Sequence, residues 1–267
     1  MAHIFNGKAV SKRLLSDIAK RVNVLPRKPT FLAITVTPSG ATLSYLRMKQ
    51  RLAAEAGIGM EVRTYETQTT EGLVAELGTV TEDAVIVQLP LPETIDTEAV
   101  LAAIPPGKDA DVLSPSTRAA GKLAHPVAAA VATVFEESGL TPEGKRAAVV
   151  GQGWLVGAPV AEWLRRRGAV VSIVTKEEGD LVAACKDADI IVSGTGVAGL
   201  ITPKHVRPGA AVIDVGTSEL GGSLRGDVDQ GVAEIASIFT PVPGGVGPVT
   251  VVRLLDNVVT LAELGVR

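Results

Sequence analysis

Cysteine is almost missing from this chain: Cys185 is the only one in 267 residues, so no intramolecular disulfide can form, and the thiol reads as a small core residue. Aromatic residues make up 3%, too few for the stacking platforms that hold single-stranded nucleic acid. The net charge is -3 and no basic block occurs, which argues against nucleic acid or an anionic membrane as a partner. The histidines His3, His125 and His205 lie far apart. No H-x-x-x-H or C-x-x-C spacing offers a metal site, so no metal is expected. No stretch approaches the roughly 20 apolar residues that span a bilayer. The opening MAHIFNGKAVSKRLL has no apolar run of signal-peptide length. A soluble, cytoplasmic protein is the expectation. Internal repeats and low-complexity segments are also missing.

What is plentiful is small and aliphatic. Hydrophobic residues make up 46%, mostly Ala, Val, Leu and Ile, enough for a substantial core in one large or two smaller domains. The patterns predict a helix over 10–24, strands over 31–36, 59–65 and 84–88, and helices over 44–56 and 70–77. Such alternation implies a parallel sheet covered by helices. Residues 89–115 hold five prolines and read as loop at the edge of a cleft. A helix over 127–137 leads to a second alternation: strand 146–150, the loop GQGWLVGAP, helix 160–167, then strands 170–174, 189–192 and 211–214. The terminal helix over 250–264 packs back on the first domain. The expected fold is α/β, with two α/β domains and a cleft between them. Residues 1–120, completed by 250–267, form the first domain. Residues 121–249 form the second, a Rossmann-like doubly wound parallel sheet.

Two places carry chemistry. Tyr45 and Lys49 are four residues apart on a helix whose apolar stripe is Leu43, Leu46, Met48, Leu52, Ala53 and Ala56. Residues at that spacing share a face, so a phenol and an ammonium point into one space. The competing reading is a solvated lysine beside a core tyrosine. In GQGWLVGAP, Gly151, Gly153 and Gly157 give the spacing G-x-G-x-x-x-G, one residue longer than the usual dinucleotide fingerprint. Small residues there let backbone approach a pyrophosphate, and the N–H groups opening the next helix face the anion. Pro159 fits the first turn of that helix. At the end of the following strand an NAD site usually places Asp or Glu. This chain has Thr175 and Lys176, which favours a 2′-phosphate and hence NADP; Glu177 and Glu178 follow and keep NAD open.

With those residues in place, the chain resembles the bifunctional methylenetetrahydrofolate dehydrogenase/cyclohydrolase (FolD) family. The likeness runs nearly end to end. It is carried by Tyr45-x-x-x-Lys49, VQLPLP (87–92), PPGKDAD (105–111), the glycine loop (151–159), GAAVIDVGT (209–217), GDVD (226–229) and TPVPGGVGPVT (240–250). The resemblance implies oxidation of methylene-tetrahydrofolate to the methenyl form with NADP, and hydrolysis of that form to 10-formyl-tetrahydrofolate. It also implies a place in one-carbon metabolism and purine biosynthesis, and a homodimer. By the same resemblance Lys49 serves the hydrolytic step, Tyr45 lies against the folate, Gln88 contacts Lys49, and Asp111 bonds the pterin. Leu89, Pro90, Pro243, Gly244 and Gly245 complete the folate site. The cofactor would meet Gly151, Gln152, Gly153, Val156, Gly157, Pro159, Thr175, Lys176, Thr195, Gly196 and Thr217.

Three places depart from the family pattern. Gln152-Gly153 stands where the family loop has Arg-Ser, which removes a charged grip on phosphate. Val112 follows Asp111 where the family has Gly, so that loop is expected to take another path. Ala124-His125-Pro126-Val127 replaces a PCTP segment. A divergent member with hydrolase activity and weak or NAD-dependent dehydrogenase activity is one alternative. A non-catalytic nucleotide-binding regulator is another, but it would not need Lys49, Gln88 and Asp111 together. In short-chain dehydrogenases the glycine loop precedes the Tyr-Lys pair, the reverse of the order here.

Overall fold

The run FLAITV is apolar but for Thr35 and has no polar alternation, as a strand covered on both faces requires. In the computed structural model, which describes residues 2–175, 180–220 and 223–265, it is the centre of a sheet. The elements in chain order are β1 (His3–Ile4), α1 (Gly7–Asn23), β2 (Thr30–Val36), α2 (Gly40–Glu55), β3 (Gly59–Tyr65), α3 (Thr70–Leu77), β4 (Ala84–Val87), α4 (Thr97–Ala102), α5 (Pro115–Ala120) and α6 (Pro126–Ser138). They continue with β5 (Arg146–Val150), α7 (Gly157–Arg166), β6 (Val170–Val174), α8 (Leu181–Lys186), β7 (Ile190–Ser193), β8 (Ala211–Asp214), β9 (Ser218–Leu220), β10 (Ser223–Arg225), β11 (Ile238–Phe239) and α9 (Val246–Gly265). Contacts divide the chain into two units, Lys12–Pro126 with Val251–Arg267, and Met1–Ser11 with Val127–Thr250.

The first unit is built on a parallel sheet of order β3-β2-β4. Alternate residues of β2 feed two cores. Phe31 and Ala33 pack with Leu15 and Ile18 of α1, Leu46 and Ala53 of α2, and Val252, Leu255 and Val258 of α9. Leu32, Ile34 and Val36 pack with Leu73 and Leu77 of α3 and Val100 and Leu101 of α4. Helix α2 starts earlier than its apolar pattern suggests, because the Ser39 hydroxyl caps it by accepting from the Thr42 N–H. The proline-rich stretch is not all loop. Asp96 caps α4 and buries Val100 and Leu101, in a helix of six residues that is too short to show a period. Beyond it, Val85 pairs with Asp109 in an isolated parallel bridge that fastens the following loop to β4.

The second unit holds six parallel strands in the order β1-β11-β8-β7-β5-β6. From β5 the chain moves out to β6, then returns to β7 on the other side of β5. The strand order therefore reverses at β5, and ligands of open α/β sheets bind at the carboxyl ends of the strands at such a point. The doubly wound sheet read from the sequence is present, extended by β11 and β1, each two residues long. Cys185 on α8 is fully buried in the core below the sheet, with Val150, Ile191 and Val212 in the same cluster. Among the described residues no helix is long and apolar enough to cross a membrane.

Gly157 opens α7 against the loop from β5. A Cβ built there stands 2.0 Å from the Gly151 carbonyl oxygen, a backbone atom with nowhere to go. Gly157→Ala is expected to cost about 1–3 kcal/mol and to lower the melting temperature by several degrees. Gly153 has open space around a built Cβ, so Gly153→Ala should melt like the parent in the same calorimetric scan.

Candidate active site

Lys49 is on the inward face of α2 and is 4% exposed. Its Nζ donates to Gln88 Oε1 at 2.9 Å and lies 4.9 Å from the centre of the Tyr45 ring. One turn of helix puts amine and ring together, as the four-residue spacing demands. Gln88 is fixed from both sides. Its backbone N–H donates to the Ile34 carbonyl at 2.8 Å, extending β4 by one residue, and its Nε2 donates to the Leu89 carbonyl at 2.9 Å. With Nε2 spent on a carbonyl, Oε1 must face the amine. Leu89 joins Pro90 through a cis peptide. Burial pulls the Lys49 pKa below that of an ordinary lysine, and the Asp111 charge partly opposes this. Burial, then the same charge, raises the Tyr45 phenol. Burial raises the Asp111 carboxyl, Lys49 opposing and Asp109 adding to the rise. Tyr45, Lys49, Gln88 and Asp111 are thus one electrostatic group within the first unit.

The valine after Asp111 does not push the backbone out of the region that glycine favours. Val112 keeps a left-handed conformation, φ 59°, despite its branched Cβ. A non-glycine residue there costs about 1–3 kcal/mol and persists only where neighbours over-determine it. The neighbours here are specific. The Ala110 N–H donates to the Val85 carbonyl at 3.3 Å, and the Ser114 N–H donates to Asp109 Oδ2 at 2.7 Å. Val112 and Leu113 are themselves buried. The apolar burial of Val112 and the closed Asp109–Ser114 turn hold the backbone in the conformation a glycine would adopt freely.

In the second unit the cofactor candidates collect at the carboxyl ends of β5, β6, β7 and β8. Gly151, φ 99°, donates its N–H to the Val174 carbonyl at 2.8 Å, which sets Thr175 beside the loop. A Cβ on Gly151 would meet the Gly194 carbonyl oxygen at 3.0 Å, and one on Gly194 would collide with Val156. Gln152, Gly153, Trp154 and Leu155 are exposed on the loop, and Pro159 is in the first turn of α7. Gly196 approaches the Thr217 carbonyl, 3.6 Å from a built Cβ. These residues fit a dinucleotide: an exposed glycine turn, a helix N-terminus and strand ends converge at the switch point. Lys176, read as the 2′-phosphate contact, lies outside the described residues. Pro243, Gly244 and Gly245 also belong to this unit. The Gly245 N–H donates to the Pro241 carbonyl at 2.7 Å, and Gly7 at the start of α1 comes so close that its Cβ would overlap the Gly245 carbonyl.

In the second unit two buried acids, Asp214 and Asp227, are not among the site residues expected from the sequence. Asp227 Oδ2 accepts from the Ser193 hydroxyl (2.7 Å), the Thr195 N–H (2.6 Å) and the Thr195 hydroxyl (2.9 Å). Both donors of Thr195 are thereby committed to shaping its own turn. Asp214 accepts N–H bonds from Gly216, Asp227 and Val228. Burial pushes its carboxyl up to about 7 against those donors. Gly216 and Gly226 leave the room these carboxylates need, since a Cβ on either would stand 2.0 Å from an acid oxygen. The strings GAAVIDVGT and GDVD were the signal: each places an acid beside a glycine. Among the described residues no group of three His, Cys, Asp or Glu side chains could hold a metal ion.

Comparison with known proteins agrees along the whole chain. The family model for the catalytic domain of tetrahydrofolate dehydrogenase/cyclohydrolase matches residues 5–111, and that for the NAD(P)-binding domain matches residues 126–265. A bifunctional FolD protein of Methanospirillum hungatei is 38% identical over 274 residues, covering 97% of both chains. The FolD crystal structure from Campylobacter jejuni superposes with a TM-score of 0.92 at 30% identity, over 99% of this chain and 100% of that one. The Trypanosoma brucei enzyme, solved with NADP and an inhibitor, gives a TM-score of 0.92 at 34% identity, over 100% of this chain and 99% of that one. With both units matched in order, the chain belongs to the tetrahydrofolate dehydrogenase/cyclohydrolase family.

Proposed function

We propose that this chain oxidises methylene-tetrahydrofolate to methenyl-tetrahydrofolate with NADP and hydrolyses the methenyl form to 10-formyl-tetrahydrofolate. The observation that carries the reading is the buried Lys49 amine bonded to Gln88 and facing the charge of Asp111. The methenyl carbon is already electrophilic, so water needs orientation and loss of a proton more than a stronger nucleophile. A neutral amine can take that proton, and burial favours the neutral amine. Gln88 Oε1 accepts one N–H of the amine, which leaves the nitrogen lone pair for water. The adduct carries a hydroxyl on the former methenyl carbon; as the ring C–N bond breaks, that O–H gives up its proton to form the formyl C=O and the released nitrogen takes up one proton, so that one of water's two protons leaves to solvent. Asp111 would hold the pterin and Tyr45 would cover its face. Leu89 and Pro90 would fix the strand end beside it.

NADP, when bound, accepts the hydride of the methylene bridge. That step needs no acid or base, only a fixed approach of donor carbon to acceptor ring. The protein's part is to hold the dinucleotide, for which Gly151, Gly153, Gly157 and the first turn of α7 supply backbone, and Thr175 and Lys176 supply the strand-end contacts. A second reading, NAD use or weakened dehydrogenase activity, is favoured by one feature: Gln152 and Gly153 carry no charge or hydroxyl toward a phosphate. We further propose a homodimer in the cytoplasm serving one-carbon metabolism and purine biosynthesis.

Lys49→Ala should reduce methenyl-tetrahydrofolate hydrolysis to background in a protein that melts normally; retained hydrolysis in a spectrophotometric assay removes Lys49 from the mechanism. Because the neutral amine is the active form, the parent's hydrolysis rate should climb with pH through a midpoint below the ordinary lysine range. Asp111 raises the Lys49 pKa, so Asp111→Asn should move that limb to lower pH; a shift upward would contradict the assignment. Lys176→Ala should weaken NADP binding more than NAD binding in titrations with each dinucleotide, and equal losses would exclude phosphate recognition by that lysine.

A further inference from the structure

Asn257, on α9, is 7% exposed, between Asp256 and the buried Val258 and Val259. Its Nδ2 donates to two carbonyls, that of Ala110 at 2.8 Å and that of Ala124 at 2.8 Å. Two carbonyl acceptors settle which end of the side-chain amide faces them, since the oxygen end would meet oxygen with oxygen. The Ala110 carbonyl belongs to the peptide that enters Asp111. The Ala124 carbonyl belongs to the peptide that enters His125, the segment where this chain departs from its family. Neither bond is local in sequence, so the last helix reaches back to both.

The bond to Ala110 matters because the next residues are strained. Val112 sits at φ 59°, a conformation a branched residue leaves if its surroundings allow. Relief would turn the Asp111–Val112 peptide, and the Ala110–Asp111 peptide is the flank that must stay fixed to resist that turn. The Ala110 N–H bond to Val85 holds one side of that residue, and Asn257 holds the other. We propose that Asn257 is a positioning residue for Asp111, clamping the peptide that aims its carboxylate. The inference rests on the reading of Asp111 as the pterin contact. Lys49 is faced by Tyr45 from its own helix, by Gln88 from the end of β4 and by Asp111 from the clamped loop, and Asp111 is faced in turn by Asp109.

The test uses full-length Asn257→Leu, Asn257→Ser, Asp111→Asn and the Leu/Asn double variant. Asn257→Leu should raise KM for methenyl-tetrahydrofolate about tenfold, the size of one lost hydrogen bond to a charged group. KM for NADP should stay at the parent value. The acid limb of the hydrolysis profile should move down in pH, as in Asp111→Asn. The double variant should be no worse than Asp111→Asn alone, the signature of two residues acting through one contact. Should the leucine variant not fold, Asn257→Ser gives the same readings with a shorter donor. Folded variants that only melt lower, with parental KM and pH profile, overturn the proposal, as do additive effects in the double variant. If Asp111→Asn itself leaves KM unchanged, the pterin assignment falls and takes the clamp with it, a result distinct from failure at Asn257 alone.

Discussion

The hydrogen bond from Lys49 to Gln88 is the constraint around which the first unit is organised. An amine removed from water must keep a partner or lose its charge. Here the partner is neutral, so the environment favours losing the charge while still fixing the nitrogen in space. A carboxylate in that place would have locked the lysine as a cation and denied it the neutral form that the proposed proton transfer needs. Asp111, felt electrostatically, tempers the effect without removing it. The fold supplies each piece by ordinary means: one helical turn for Tyr45 and Lys49, one residue of strand extension for Gln88, and a bridged loop for Asp111.

The second unit follows a different logic. There the functional surface is mostly backbone, and what matters is how closely chains approach. Gly151, Gly157, Gly194, Gly216 and Gly226 are each placed where a Cβ would press on backbone or a neighbouring side chain. The acids Asp214 and Asp227 then tie the loops together by accepting N–H and hydroxyl donors that helix and strand leave over. Charge in this unit serves architecture, as it does in the first unit where Arg21 pairs with Asp256 and Glu263.

Much of this was readable from residues alone, and the reasons differ by element. The strands β2, β4 and β5 are mostly apolar and lack polar alternation, and the pair Tyr45 and Lys49 declares itself by helical spacing. The parts not readable are those decided by tertiary contact. Strands β1 and β11 are two residues each and exist only because a neighbouring strand accepts them. Helix α4 is a six-residue segment held by its Asp96 cap and two buried side chains. The valine after Asp111 pointed to a changed loop, yet burial of its side chain and the Asp109–Ser114 closure outweighed its own backbone preference. Asn257 is one of several polar residues in the terminal helix, and only its two distant carbonyl partners set it apart.

The solitary thiol has a practical consequence. Cys185 is sealed in the core and burial pushes its pKa up to about 11, so almost none of it is thiolate at neutral pH, and thiolate is the form that reacts with peroxide or alkylating agents. The native chain should therefore pass through oxidative stress, or a bench without reductant, with its thiol chemically silent. A cysteine introduced elsewhere on the surface could be labelled selectively, with no need to remove the one already there.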